Sequence, residues 1–349
     1  MFDEVEFFFV TDITITIVTL FLNGTAVLLI ISYKSLIQIK INRVILSLLL
    51  SDFLSGCLLG LDLYTSEIHA FVLLSCTSCR VYRVIVDVTR TLLVNATVLH
   101  LIGIAAERYV GLFHALRYHS LITCKRINIF LLALWSVSSS FASIQWTWLY
   151  AIIDGITIEE RHYIGFIEAV YSSVSIICFL VTPIIALAVI FMRMYVGIKN
   201  LIHRTPKQSI SSNASDTHQM KCSKAFMVMF LAFVLTATPF YITRLINDLT
   251  NLTNLSLPRM TPLIYQIVYT LRNTSHITNP LFYMLLTRKS KSCITKLYTE
   301  SKVRLFGDVS QYSMQSPSLS KGRDQPRKVV ILRYQNREVY KCVEYVTAV

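Results

Sequence analysis

Seven apolar stretches, each long enough to cross a membrane, constrain this chain more than any other feature. A helix that spans the hydrocarbon core needs about 20 mostly apolar residues. The stretches cover residues 8–32, 42–64, 81–113, 128–151, 166–198, 222–247 and 260–287. Because unpaired backbone groups are costly in lipid, spans of this length are expected to be helical. The sequence therefore predicts an all-α membrane protein that forms a seven-transmembrane helix bundle.

The composition favours lipid over water or nucleic acid as the surroundings of this bundle. Hydrophobic residues make up 54% of the 349 residues and charged residues only 15%, whereas soluble domains have about 25% charged residues. The formal net charge of +13 would suit nucleic acid if the cations formed one exposed face. They lie instead between the apolar stretches. We therefore expect membrane lipids, and no nucleic acid, among the partners.

The loop charges predict an orientation. Loops on one side are rich in lysine and arginine, for example Lys40, Arg117 and Lys289, and those on the other side carry acids such as Asp3 and Glu159. Positively charged loops remain in the cytoplasm. We expect a multi-pass protein of the plasma membrane with its N-terminus outside.

Polar segments flank the bundle. We expect an extracellular N-terminus over residues 1–7, the bundle over 8–287, a short interfacial eighth helix over 288–300 and a flexible cytoplasmic tail over 301–349. Cys293 would face lipid on the interfacial helix, and both palmitoylation and a free thiol remain open for it.

Two further surface motifs are short. Asn251 and Asn254 begin Asn-x-Ser/Thr sequons on the outer side, where glycans are added. The chain ends Thr347-Ala348-Val349, which is similar to termini that PDZ domains bind as an added strand. Three residues also occur by chance, so a PDZ partner and a chance match both remain open.

Polar motifs inside the apolar stretches identify a family, since polar residues in lipid are costly and usually functional. The third stretch ends in Glu107-Arg108-Tyr109, followed by Ala115-Leu116-Arg117-Tyr118. The seventh ends in Asn279-Pro280-Leu281-Phe282-Tyr283, and the second contains Asp52. Each motif lies in the expected stretch and order. Over residues 10–300 the chain resembles the rhodopsin family of G-protein-coupled receptors.

The resemblance implies a G-protein switch made by Glu107, Arg108, Tyr109, Leu116 and Tyr283. In that family Arg108 would pair with Glu107 at rest and face a G-protein terminus when the sixth helix moves outward. An arginine that merely extends to the interface is the alternative. Heterotrimeric G protein and arrestin are the cytoplasmic partners that the resemblance implies.

The resemblance also places a sodium pocket in the bundle interior. Asp52, Thr97, Ser275 and Asn279 match the positions of that pocket, so Na⁺ at Asp52 is the one cofactor considered, and no other metal site is predicted. His276 lies next to this group in the sequence and leaves the protonation state open. A hydrogen-bond network without sodium is the alternative.

The family's extracellular disulfide is not expected. Its third-helix position is Arg83, and the loop over 152–165 contains no cysteine. Cys76 and Cys79 lie nearby, but their spacing strains a disulfide within a helix, and we expect free thiols.

Three other positions depart from the family. Ala237 replaces the sixth-helix tryptophan that acts as a rotamer switch. Gln219 replaces the acid that locks Arg108, with Asp216 one turn away, and this change predicts ligand-free activity. Asn273 replaces the retinal-binding lysine of opsins, which excludes light sensing through a Schiff base.

The ligand pocket departs from amine receptors in charge. The position of the amine-binding aspartate is Arg90, and Asp87 lies one turn higher. Either these two residues pair with each other, or Arg90 and Arg272 together attract an anion. We expect a small molecule, lipid or short peptide, in a pocket that also contains Phe240, Tyr241, Arg244 and Tyr269.

Three functions remain open. The favoured one is a receptor that converts extracellular ligand binding into G-protein activation. The alternatives are a membrane transporter, for which no internal repeat is evident, and a non-signalling decoy receptor of the same fold. No nucleophile–base set or metal cluster indicates an enzyme.

Overall fold

A computed structural model describes residues 2–69, 77–148, 158–204, 213–253, 262–286, 292, 294, 295, 299, 329–334 and 337–342. Within them the helices are α1 (Phe2–Ser32), α2 (Lys34–Ile37), α3 (Asn42–His69), α4 (Thr77–Phe113), α5 (Tyr118–Leu121), α6 (Cys124–Ser143), α7 (Ile158–Ile176), α8 (Thr182–Arg204), α9 (Asn213–Thr253), α10 (Pro262–Asn273) and α11 (Ser275–Leu286). A 3₁₀ turn at Ala115–Arg117 precedes α5, and a π-helical turn at Ile177–Val181 joins α7 to α8.

The predicted seven-transmembrane bundle is confirmed. Six helical stretches of the described chain are long and apolar enough to cross a membrane, namely Glu6–Ser32, Asn42–Thr65, Val84–Phe113, Cys124–Trp148, Tyr163–Gly197 and Met227–Thr250. The seventh predicted span consists of α10 and α11, which are interrupted at Thr274. Backbone hydrogen bonds cross the interruption, because Thr274 N–H donates to Thr270 O and Ile277 N–H donates to Thr274 O.

Several helices extend beyond the predicted apolar limits. The helix α1 begins at Phe2, within the segment expected to be an N-terminal extension, and α9 begins at Asn213 rather than near residue 222. Hydropathy detects the part of a helix that lipid covers, whereas the backbone hydrogen-bond ladder continues into polar residues. At one end a cap fixes the start, since the Thr123 hydroxyl accepts a hydrogen bond from Arg126 N–H at 3.3 Å and α6 begins at Cys124.

The helix α4 lies at the centre of the bundle and packs against α3, α6, α8 and α9. In its apolar part 56% of residues are buried, against 22% in α6. Side chains of α3, α4, α9 and α11 form one apolar cluster that includes Leu48, Leu101, Ile104, Phe233 and Tyr283. Since lipid is as apolar as these side chains, van der Waals packing rather than water exclusion holds the cluster together.

The C-terminal segment Thr299–Val349 forms a separate compact unit. It contains an antiparallel pair, β1 (Val329–Tyr334) and β2 (Arg337–Cys342), with Val329 opposite Cys342 and Tyr334 opposite Arg337. This pair was not predicted from the sequence, although its β-branched and aromatic residues favour strands. The flexibility expected for residues 301–349 stays a prediction.

Several predictions fall outside the described residues. They include Cys293 and most of the interfacial helix at 288–300, the sequon at Asn254, and the terminal Thr347-Ala348-Val349 motif. Asn251 lies in the last turn of α9.

Candidate functional site

The C-terminal end of α4 carries a charged network. Arg108 Nε lies 3.0 Å from Glu107 Oε2, and the Tyr118 hydroxyl of α5 donates to Glu107 Oε1 at 2.6 Å. Glu107 is buried, with 7% of its surface exposed. Burial and the adjacent carboxylate raise the pKa of Tyr118, which therefore remains a neutral donor. The expected pairing of Glu107 with Arg108 is present, and Tyr118 contributes a third group that the sequence analysis did not assign.

The remaining switch residues lie around this network. Tyr283 is buried and accepts a hydrogen bond from Asn42 Nδ2 at 3.2 Å, which connects α11 to α3. The Tyr109 ring packs 4.7 Å from that of Phe113. Leu116 is fully exposed on the loop that follows α4. The structure therefore gives one predicted residue, Leu116, the accessibility that a cytoplasmic partner would need.

A buried polar network surrounds Asp52 at the middle of α3. Asn279 Nδ2 donates to Asp52 Oδ2 at 2.7 Å, and His276 Nδ1 lies 2.7 Å from Asp52 Oδ1. The Thr97 hydroxyl is 3.4 Å from the same Oδ1. Ser275 is also buried, but its hydroxyl is not among the hydrogen-bond donors to Asp52 within the described chain. His276, not placed in the pocket by the sequence analysis, is the closest neighbour of Oδ1.

These contacts decide whether Asp52 has a free oxygen for the sodium ion that the family resemblance implies. A cation at Asp52 needs a carboxylate oxygen that faces free space, whereas both oxygens of Asp52 have nitrogen partners at 2.7 Å. In this arrangement the residues do not fit sodium, and they fit a hydrogen-bond network.

A second hydrogen-bond network connects α3, α4 and α6. The Trp135 indole donates to Ser47 Oγ at 3.0 Å, and Ser47 Oγ lies 2.8 Å from His100 Nε2. His100 Nδ1 is 2.7 Å from Ala96 O. A neutral His100 protonated on Nδ1 satisfies all three contacts, because it donates to the carbonyl and accepts from the serine. One small hydroxyl therefore connects three helices.

Toward the N-terminal end of α4 the helices surround a cavity of about 240 Å³. Six of the seven predicted ligand-binding residues line it, namely Asp87, Arg90, Phe240, Tyr241, Arg244 and Arg272. Tyr269 instead lines a smaller neighbouring cavity of about 20 Å³. The larger cavity also contains Trp148, Glu168 and Asp248, which the sequence analysis did not assign to it.

The positive charge of Arg90 is compensated by two carboxylates. Its guanidinium forms ion pairs with Asp62 of α3 and with Asp87, the latter at 2.8 Å. The Tyr269 hydroxyl donates to Asp62 at 3.2 Å, and the guanidinium lies 5.6 Å from the Tyr269 ring centre. Of the two interpretations of Arg90, the structure therefore has the paired one, and the uncompensated charge considered for Arg90 is not present.

Arg272 has a different environment. It is 5% exposed, its guanidinium lies 4.3 Å from the Phe240 ring centre, and its Nη1 has no hydrogen-bond partner among the described residues. The third arginine, Arg244, is 3.9 Å from Asp248 Oδ2, and Ser172 also donates to that carboxylate. The cavity thus has one buried guanidinium for which the described chain provides no acid.

Only some of the positions at which the chain departs from the family have described side chains. Ala237 is 2% exposed and belongs to the apolar cluster. Cys57, Cys124 and Cys178 are free thiols. The side chains of Arg83, Cys76, Cys79, Gln219 and Asp216 lie outside the described ones.

Comparison with known proteins gives the family. Residues 22–283 match the 7 transmembrane receptor (rhodopsin family). Melanocortin receptor 5 of Rattus norvegicus and that of Mus musculus are each 22% identical to the chain over 149 residues. Each alignment covers 43% of this chain and 40% of the receptor. With the family match extending over most of the seven-helix bundle, the chain belongs to the rhodopsin family of seven-transmembrane receptors.

Proposed function

We propose that the protein is a plasma-membrane receptor that binds a small molecule or short peptide in the outer cavity and activates a heterotrimeric G protein at its inner end. The observation that carries this proposal is the Glu107–Arg108 pair, which Tyr118 of α5 also contacts, on the same helix, α4, that contributes Arg90 to the cavity. Eighteen residues separate Arg90 from Arg108 in α4, which corresponds to about 27 Å at ~1.5 Å per residue.

The two ends have the properties that a switch requires. A ligand shifts an equilibrium only if it binds one state better than the other. The contacts of Arg108 with Glu107 and of Tyr283 with Asn42 define a resting state in which Arg108 is occupied by its own chain. A G protein that binds Arg108 would compete with Glu107, so ligand binding and G-protein binding would favour the same rearranged state.

The proposed orientation follows from the loop charges. The Glu107–Arg108 network lies beside the lysine- and arginine-rich loops, which remain in the cytoplasm, and the cavity lies at the opposite end. An epitope placed before Phe2 should be stained by antibody on intact cells. Staining only after permeabilisation would contradict this orientation.

The function is tested by ligand-free G-protein activation in cells, with a panel of Gα subunits and matched surface expression. We expect a basal signal that Arg108→Ala abolishes. The matched control is Arg117→Ala, an exposed arginine of the adjacent loop, which should retain the signal. A non-signalling decoy or a transporter would give equal signals for all three proteins with every subunit.

A further inference from the structure

Arg272 is the cavity residue whose charge the described chain leaves uncompensated. A guanidinium has five N–H donors and no acceptor. The Arg272 guanidinium carbon lies over the Phe240 ring, 4.3 Å from its centre, which is a cation–π contact. The ring carries no carboxylate, and Nη1 is buried without a hydrogen-bond partner among the described residues.

The other two arginines of the cavity show that such a charge is compensated elsewhere in the same site. Arg90 has two carboxylate partners, Asp62 and Asp87, and Arg244 has Asp248 at 3.9 Å. A buried charge that lacks a partner destabilises a fold. A residue retained at such a cost in a cavity is expected to have its partner in a bound molecule.

The charge of Arg272 and the other groups of the cavity restrict what that molecule carries. A guanidinium has paired, parallel N–H bonds that suit a carboxylate or phosphate in a bidentate arrangement. Glu168 and Asp248 line the same cavity, and a dianionic phosphate would be repelled by them more strongly than a monoanionic carboxylate. The aromatic lining, which includes Trp148 and Tyr241, suits an apolar or aromatic body.

We propose that Arg272 binds the carboxylate of the receptor's ligand inside the outer cavity, with the body of the ligand against the aromatic lining and its other end toward Glu168 and Asp248. This assignment rests on the proposed function, because it takes the outer cavity as the ligand site. A zwitterion or a short peptide with a free carboxyl end satisfies both the basic and the acidic side.

The first test uses purified, ligand-free receptor in lipid nanodiscs and compares two arginines of one cavity. Arg272→Gln should raise the thermal midpoint by about 2 °C or more, because it removes an unpaired buried charge. Arg90→Gln should lower it, because Asp62 and Asp87 lose their partner. A lower midpoint for Arg272→Gln, or loss of folded protein, would identify Arg272 as a structural residue and overturn the proposal.

The second test uses probes that differ only in their charged groups: phenylalanine, N-acetylphenylalanine and phenylalaninamide at millimolar concentration, with inorganic phosphate as a further arm. The two probes with a free carboxylate should raise the wild-type midpoint in a saturable manner, and Arg272→Gln should lose that effect. The amide and phosphate should be ineffective. Equal stabilisation by the amide, stabilisation that survives in Arg272→Gln, or no effect of either carboxylate would overturn the proposal.

Neither test depends on signalling. A receptor that activates a G protein through Arg108 but shows no dependence on Arg272 would refute the carboxylate assignment and leave the proposed function intact. Binding that depends on Arg272 in a protein that activates no G protein would support the carboxylate assignment and contradict the proposed function.

Discussion

Replacement of Tyr118 by phenylalanine should increase ligand-free signalling. The Tyr118 hydroxyl holds Glu107 in the resting pair with Arg108 through a 2.6 Å hydrogen bond. Phenylalanine keeps the ring and removes only that donor. If the bond exists in the resting state and is lost when Arg108 is released, its removal destabilises the resting state alone and shifts the equilibrium toward the active state.

The expected increase in signalling follows from the free energy of this hydrogen bond and from the burial of Tyr118 and Glu107. A hydrogen bond to a charged group contributes about 1.5–3 kcal/mol, and because Tyr118 is half-buried we take a lower value of about 1 kcal/mol. This corresponds to a roughly fivefold increase in the ratio of active to resting receptor. Glu107→Gln also removes the charge opposite Arg108. With Glu107 nearly buried, it should cost the resting state about 2 kcal/mol, or a roughly thirtyfold change.

The assay is basal G-protein activation per receptor at the cell surface, for wild type, Tyr118→Phe, Glu107→Gln and the control Ser120→Ala. Ser120 lies in the same short helix, α5, but its hydroxyl donates to Arg117 O and not to Glu107. We expect the order Glu107→Gln, Tyr118→Phe, then wild type and Ser120→Ala together. A Tyr118→Phe signal equal to or below wild type, while Glu107→Gln rises, would refute the argument that this hydroxyl stabilises the resting state.

Three other predictions concern the bundle interior. The thermal midpoint of the purified wild-type receptor should be the same in Na⁺ and K⁺. His276→Ser removes the imidazole from Asp52 Oδ1 and leaves only the longer contact with Thr97, so this variant should gain stabilisation by Na⁺; a sodium response of equal size in wild type would contradict this. Ser47→Ala should destabilise the receptor by about 1–3 kcal/mol, because two interhelical contacts lose their shared hydroxyl, and an unchanged melting curve in detergent would refute that role. Gly103→Ala would place a methyl group 2.4 Å from Phe130 Cζ, so the ring must shift, and we expect a loss of about 1–3 kcal/mol that Phe130→Leu partly reverses.

The spans could be predicted from sequence because lipid imposes a simple requirement on length and polarity. That requirement says little about helix ends, and the extension of α1 to Phe2 and of α9 to Asn213 follows from backbone hydrogen bonds that hydropathy does not detect. It also did not indicate the interruption at Thr274, since hydropathy is averaged over a whole span and does not detect a local change in backbone hydrogen bonding.

The sites could be predicted where a motif fixes neighbours along one helix. Glu107 and Arg108 are adjacent in sequence, and their pairing was expected. Asp62 and Arg90 lie on different helices, so their ion pair depends on how α3 and α4 are rotated against each other, which one sequence does not specify. His276 was noted beside the Asp52 network, but only the packing of α11 places its ring on the carboxylate.

The seventh span connects the three sites of the proposed mechanism, namely the outer cavity, the Asp52 network and the inner contact with Asn42. Arg272 lies in α10, just before the interruption at Thr274, and His276, Asn279 and Tyr283 follow in α11 at intervals of three and four residues, along one side of that helix. They contact the outer cavity, the Asp52 network and the inner Asn42 in that order. A carboxylate bound at Arg272 would therefore act on the same span that holds Tyr283 in its resting position.

The most direct test of the account is complex formation between purified receptor and purified, nucleotide-free heterotrimeric G protein, followed by size-exclusion chromatography. We expect wild-type receptor to elute with at least one heterotrimer, GTP to dissociate that complex, and Arg108→Ala to form none while Arg117→Ala still does. Elution of Arg108→Ala with the heterotrimer to the same extent as wild type, or no GTP-sensitive complex with any heterotrimer class, would contradict the claim that this receptor signals through Arg108.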